Sequence, residues 1–582
     1  MSDDFAPSHV ITPGGLQDAY RLSLNRLIAS DSLRRLWAKD PSLWPGDERA
    51  RSTLAASLAW LDVPHYLPQY LASFAAIVDA AHRDGFRDVV LVATDEPNLL
   101  MDAPSHASSK MHWRRVFLLD NVDPAAIRAI DEKLDFAHTL FVFANKSGKQ
   151  IETHSLFLYF LERSKALGAA DPGRFFVAVT EDGSYLADHA SSYGFRAVLL
   201  DPPGMHHRYS SLLHFALLSA LWQIDPTDVA SRMAAMHDLC QVQSPPTDNP
   251  ALALAALLAA GAGASHGKLP LLATKSMQPA THRIAQLVGG CTSGADRGII
   301  AYSGASHRNV EAYREGAIAV ALAMCGDDDA AIQDAESRMI DQGVPTVSIH
   351  LHTPADIGGS IFVWEVATAL ACSQMGVNPF ATLNKCRGTH RSLAIVEHLA
   401  ARGELPTLRP RALEKGLQLY AEGETRLQIS TLNFSEALRT FFELRPSNGY
   451  LRIISFLDDS NAQARAMLSR LQDELASALE IPVLLSKGPR GLHCFEERHN
   501  GRTPNGLFLI LTAEPTHDVA IPGAGYTFGQ LQLAFAMAAF DALQSRQQFV
   551  VRLHLAAAIE PSLADLDQVI HQVLSNLRVL TR

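Results

Sequence analysis

The feature that most constrains this chain is a series of short, unbroken apolar runs set between helical stretches. They are residues 89–93 (VVLVA), 116–119 (VFLL), 139–143 (TLFVF), 175–179 (FFVAV) and 197–200 (AVLL). A strand with one face in water alternates apolar and polar residues. A run that is apolar at every position suits a strand covered on both faces, as in a parallel sheet. Helical patterns at 125–133 and 154–167 separate these runs. This β-α-β rhythm predicts an α/β fold with mainly parallel, doubly wound sheets flanked by helices.

The rhythm pauses in a helical stretch at 211–263. It resumes at 269–272, 298–302, 317–324, 346–351, 451–456, 481–485, 506–511 and 549–555. Before the first strand, helical segments are broken by Pro41 and by Pro45-Gly46-Asp47. The expected organisation is a helical N-terminal segment at 1–75, a first lobe at 76–245 and a second lobe at 246–582. Residues 244–249 (SPPTDN) read as the linker between the lobes.

Composition narrows the class. The 582 residues are 47% apolar and 19% charged, enough to bury large cores and unlike a disordered chain. The formal net charge of −11, without a long basic run, disfavours nucleic acid or an anionic membrane as partner. The six cysteines, Cys240, Cys291, Cys325, Cys372, Cys386 and Cys494, form no CxxC pair, which suits reduced thiols better than disulfides or a zinc site. The start, MSDDFAPSHV, is acidic where a secretion signal is basic. The most apolar run, 250–263 (PALALAALLAAGAG), is too short for a bilayer and reads as a buried helix. A cytoplasmic protein is expected.

Several longer motifs carry a resemblance. Residues 36–44 read LWAKDPSLW and 58–61 read LAWL. Residues 141–153 read FVFANKSGKQIET, 206–210 read HHRYS, and 286–300 read QLVGGCTSGADRGII. The stretch 362–380 contains WEVAT and GVNPF. Residues 487–509 read KGPRGLHCFEERHNGRTPNGLFL, 521–528 read IPGAGYTF and 551–555 read VRLHL. In this order they resemble the phosphoglucose isomerase family, in particular the isomerase half of bacterial transaldolase/phosphoglucose isomerase fusions and the segment that joins the halves. The resemblance implies two flavodoxin-like sugar-isomerase (SIS) lobes, usually in a homodimer. It also implies interconversion of glucose 6-phosphate and fructose 6-phosphate, a step of glycolysis and gluconeogenesis, without metal or cofactor.

Such an isomerisation moves a proton between adjacent carbons through an enediolate. It needs a carboxylate base, a donor for the developing oxyanion, and a cradle of hydroxyl and N–H groups for the phosphate. The cradle is partly retained: Lys146, Ser147 and Gly148 stand in the family's sugar-phosphate loop, with Glu152 and Thr153 matching. Lys149 and Gln150 replace its two threonines. The bland alternative is an ordinary strand-to-helix loop with a solvated lysine.

The second phosphate element, glycine-rich in the family, reads Asp95-Glu96-Pro97-Asn98 here. Its carboxylates would repel a phosphate, and Pro97 lacks an N–H. Arg208 keeps the family's arginine position, with His206 and His207 replacing two glycines. The alternative is a surface or salt-bridged arginine; the pocket position is the favoured reading.

The family's glutamate base aligns with Gly290, which has no carboxylate, while Thr292 is retained. Asp296 would serve only in a rebuilt loop, and Cys291 reads as an inert buried thiol. His493 is retained as a substrate-binding candidate, but the residues after it change, a site lysine is lost, and Glu496 or Glu497 would be relocated carboxylates. His350 and His352 are spaced like a metal pair without a third ligand, and read as structural. Trp364 and Glu365 read as packing and structural hydrogen bonding.

The motifs that build the fold persist while the substrate loops depart. This pattern leads to a degenerate isomerase: a pseudoenzyme acting as a regulatory or scaffolding partner, with residual sugar-phosphate binding. It would act as a homodimer or a hetero-oligomer with a related enzyme. The alternatives are an active aldose–ketose isomerase of sugar phosphates, and a binding module for a neutral or amino sugar, which Asp95 and Glu96 would favour.

Overall fold

The computed structural model describes residues 8–580, apart from 95–112, 114, 169, 223, 265–266, 293–297, 309, 382–386, 447–448, 459–460, 489–505 and 557–558. The positions of Asp95, Glu96, Asp296, His493, Glu496 and Glu497 therefore lie outside the described residues, as does the side chain of His207.

The first sheet comprises β2 (Asp88–Val92), β3 (Arg115–Leu119), β4 (Thr139–Ala144), β5 (Phe176–Thr180) and β6 (Ala197–Leu200), in the order β3-β2-β4-β5-β6 and parallel throughout. The second comprises β1 (Ser8–Thr12), β7 (Lys268–Ala273), β8 (Ile300–Tyr302), β9 (Ala319–Met324) and β10 (Thr346–Leu351), in the order β1-β10-β9-β7-β8. Only β1, at the edge, is antiparallel to its neighbour. The third comprises β11 (Ala412–Glu414), β12 (Leu417–Tyr420), β13 (Tyr450–Ser455), β14 (Val483–Lys487), β15 (Gly506–Ala513) and β16 (Phe549–Leu555), in the order β11-β12-β16-β15-β13-β14. Its β13–β16 are parallel, and the β11–β12 hairpin is added antiparallel to β16.

Counted along the chain, the parallel strands of each sheet start in the same order: second, first, third, fourth. That is the flavodoxin-like winding, in which the chain starts near the middle, fills one side and then crosses to the other. The fold is thus α/β with mainly parallel sheets flanked by helices, preceded by the helices Gln17–Ala29, Ser32–Trp37, Glu48–Ala55 and Val63–Arg83.

The chain forms two compact units. One combines Met1–Asp120, Lys133–Tyr302 and Gly316–Ala381, and holds the first two sheets. The other combines Asn121–Glu132, Ser303–Glu315 and Thr382–Arg582, and holds the third. In the second unit, Leu451, Ile453, Leu509, Leu511, Val551 and Leu553 form a dry sheet face. It packs with Phe441, Leu475 and Leu566 of the helices Phe434–Glu443, Ala462–Leu479 and Ile559–Leu580.

In the first unit, the helix Pro250–Gly263 is buried along almost its whole length, as its composition suggested. It packs on Asp356–Met375, which also meets Pro226–Leu239. The latter contact needs Gly359, where a Cβ would come within 2.6 Å of Met236 Cγ. Residues 244–249 form a turn ending in the fully buried Asn249, whose side chain accepts from Leu252 N and starts the Pro250–Gly263 helix. None of the described helices is long and apolar enough to cross a membrane.

Candidate functional site

The site candidates of the first unit gather where β4 and β6 end. After β4, Asn145 turns the chain: its Oδ1 accepts from Gly148 N, and its Nδ2 donates to Thr153 Oγ1 at 3.2 Å. Thr153 Oγ1 also lies 2.9 Å from Thr94 Oγ1. Gly148 has φ +67°, and a Cβ there would sit 2.5 Å from Leu186 Cβ and 2.6 Å from its N, so only glycine fits. The helix Ile151–Ala166 then starts at Gln150 without a side-chain cap, leaving its first N–H groups to other acceptors. Ser147 accepts from Lys149 N at 3.3 Å, Lys149 itself is exposed, and Glu152 and Thr153 are buried in the helix's first turn.

Lys146 leads from this loop to the next. Its ammonium donates to Met205 O and pairs with Glu181 at 2.8 Å. Met205 precedes the turn that carries His206, Arg208 and Tyr209. Arg208 is 7% exposed, and its Nη1 donates to Pro379 O at 3.0 Å and Ala381 O at 3.2 Å. The arginine therefore clamps the end of GVNPF and the residue that follows it. Its own carbonyl accepts from Arg283 Nη2, on the helix Gln278–Thr292 that bears Gly290. Arg283 also faces Glu365 Oε1 at 3.5 Å, and Ser211 Oγ donates to the same oxygen at 2.9 Å.

Next to Gly290, Cys291 Sγ lies 3.5 Å from Tyr209 OH, and Cys372 Sγ lies 3.5 Å from Cys291 O. Burial raises the Tyr209 phenol and the Cys372 thiol well above their ordinary values, so both stay protonated. Thr292 Oγ1 donates to Val288 O at 2.8 Å and accepts from Ile299 N at 3.0 Å, which ties the helix end to the strand that follows.

The persistent motifs support this corner. Trp60, from LAWL, stacks on Tyr209 at 4.5 Å, and Phe380, from GVNPF, lies 4.9 Å from the same ring. Trp44, from LWAKDPSLW, packs edge-on to Phe380 at 5.1 Å and donates to Ala369 O at 2.9 Å. These aromatic contacts, with the Trp44 indole hydrogen-bonded, form a packed wall behind the turn.

The sequence reading did not single out Asp201, Tyr70 or His214. Asp201 follows β6 and is 7% exposed; Tyr70 OH donates to its Oδ1 at 2.9 Å. Burial raises its carboxyl above the ordinary value, partly offset by His214, Tyr70 and Lys146. His214 is 7% exposed, and among the described residues neither ring nitrogen has a hydrogen-bond partner. The one available hint was an aspartate at a strand end before Pro-Pro-Gly, where α/β sheets place functional groups.

Comparison with known proteins finds similarity over part of the chain. A glucose-6-phosphate isomerase of Campylobacter jejuni is 29% identical over 105 residues, which is 18% of this chain and 25% of that enzyme. The chain bears a distant likeness to glucose-6-phosphate isomerase. The matched stretch spans a quarter of the curated relative, and no protein-family model matches the chain. Among solved structures, the hypothetical protein TT0462 of Thermus thermophilus is similar in fold. Its TM-score is 0.52 at 19% identity, over 64% of this chain and 96% of that one. A glucose-6-phosphate isomerase of Chlamydia trachomatis gives a TM-score of 0.44 at 17% identity, over 64% of this chain and 79% of that one.

Proposed function

We propose that the chain is a phosphoglucose-isomerase-like protein with a degenerate active site. On this reading it binds a sugar phosphate at the Lys146–Thr153 loop, does not turn it over, and acts as a regulatory or scaffolding partner of itself or of an intact relative. The observation that carries the reading is the state of the Arg208 corner. Gly290 stands where the resemblance puts the base, on a buried helix. The neighbouring charged groups already have protein partners: Arg208 holds Pro379 O and Ala381 O, and Glu365 meets Arg283 and Ser211. A base must be able to reach the substrate's proton, and loss of a general base typically costs about 10²–10⁴-fold in rate. The test is calorimetric titration with glucose 6-phosphate, fructose 6-phosphate and 6-phosphogluconate, with a coupled isomerase assay on the same batch. Binding without turnover supports the proposal; turnover abolished by Arg208→Ala sinks it.

A working sugar-phosphate isomerase is the second reading. The observation that favours it is Asp201, whose raised carboxyl lies within electrostatic reach of Lys146 and His214. A buried carboxyl raised above its ordinary range holds a proton more readily than an exposed one, as a general acid or base must. If this reading holds, turnover is present and is lost on Asp201→Asn.

A further inference from the structure

His350 and His352 stand at the end of β10, and among the described residues no group of three or more His, Cys, Asp or Glu could hold an ion. His352 meets a thiol instead. Its Nδ1 lies 3.7 Å from Cys325 Sγ, and both side chains are exposed. Cys325 follows β9 and His352 follows β10, adjacent parallel strands with Met324 opposite Leu351. The pair thus sits at the carboxyl edge of the second sheet.

Both backbones are fixed. Cys325 N donates to Leu351 O at 2.8 Å. His352 N and Thr353 N both donate to Asp356 Oδ2 at 2.9 Å, and the fully buried Asp356 is in turn paired with Arg232 at 2.6 Å. After Cys325 the chain turns at Gly326, φ +92°, and Asp327 is anchored by Ser276 N and Oγ at 3.1 and 2.6 Å. Side chains carried on strand ends and braced in this way hold their geometry. The other described cysteines differ: Cys240, Cys291 and Cys372 are buried, and burial pushes the Cys240 thiol up to about 12.

A thiol within reach of an imidazole, exposed and held in place, has the parts of an activated nucleophile. We propose that Cys325 and His352 form a reactive thiol–imidazole pair that undergoes exchange with low-molecular-weight disulfides, making this edge a site of reversible S-thiolation. His352 Nδ1 accepts the thiol proton. The thiolate attacks one sulfur of the disulfide, a protein–small-molecule S–S bond forms as the original S–S bond breaks, and the released thiolate takes up a proton. Cys325 is oxidised, one half of the disulfide is reduced, and excess small thiol reverses the step. The inference does not depend on sugar-phosphate binding.

The test uses the full chain with 5,5′-dithiobis(2-nitrobenzoate) and with oxidised glutathione at pH 7. One thiol is expected to react in a separate fast phase, at least about tenfold faster than free glutathione reacts with the same reagent. Peptide mass spectrometry should place the adduct on Cys325. Cys325→Ser should remove the phase, and His352→Ala should slow it about tenfold, with added imidazole restoring part of the rate. Unchanged far-ultraviolet circular dichroism would show that both exposed-site variants fold. An unslowed His352→Ala, or a fast phase that maps to Cys386 or Cys494, would overturn the proposal.

Discussion

The two ends of the candidate site are built differently. At the Lys146–Thr153 loop, the first helical N–H groups have no side-chain cap, Lys149 points to solvent, and glycine persists where no other residue fits. At the Arg208 corner the polar groups are turned inward: the arginine holds a neighbouring chain segment, Glu365 meets Arg283, and Thr292 fastens a helix end. The first region is built like a surface that can receive a ligand, the second like part of a core. On the proposed reading, the loop would keep its ligand geometry while the groups of the Arg208 corner serve packing.

The comparison breaks most sharply at Glu365. Removing one partner of a buried, hydrogen-bonded pair leaves the other uncompensated and typically costs about 3–5 kcal/mol. Glu365→Ala is therefore expected to lower the urea unfolding midpoint strongly. A variant with native stability but altered ligand affinity would mean that this corner still serves the ligand.

Gly148→Ala is next. The left-handed backbone and the contact with Leu186 should together cost roughly 1–3 kcal/mol. Calorimetry should then show loss of sugar-phosphate binding with the fold retained. Lys146→Ala removes the pair with Glu181 and the hydrogen bond to Met205 O, so stability should fall by about 1–2 kcal/mol. Affinity for glucose 6-phosphate should fall about tenfold, as expected for a lost charge-assisted contact.

The smallest effect concerns Asp201. Its carboxyl is raised in the folded chain, so the folded state holds the proton more tightly than the unfolded one. This favours folding at pH below the ordinary carboxylate range, and the advantage is lost as pH rises through the raised value. Asp201→Asn should therefore gain stability relative to the parent between pH 4 and pH 7.5, as read by unfolding midpoints. An equal loss at both pH values would assign Asp201 a purely structural hydrogen bond to Tyr70.

Much of the fold was legible because buried parallel strands advertise themselves. Runs such as TLFVF and VRLHL fall on β4 and β16, and every position of β4 is buried. What escaped were β1, β11 and β12, the antiparallel strands. SHVIT is only half-covered and ALE is three residues long, so neither forms a continuous apolar run. Residues 244–249 form a tight helix-to-helix turn, which Ser-Pro-Pro and Asp-Asn mark as readily as they mark a boundary.

The site was legible in kind but not in use. The resemblance assigned Arg208 and Gly290 to one site. It could not show that Arg208 reaches Pro379, 171 positions away, because that contact exists only once the two stretches pack. Asp201 and His214 escaped because a single buried acid or imidazole has no periodicity to betray it.

The most direct test of the central claim is proton exchange. An enzyme that forms an enediolate exchanges the substrate's C2 hydrogen with solvent even when net turnover is slow. Glucose 6-phosphate incubated with the protein in deuterium oxide, at concentrations where calorimetry shows binding, should keep its C2 proton in the NMR spectrum. Deuterium appearing at C2, and lost with Arg208→Ala, would show that a base still works beside Gly290 and would contradict the account.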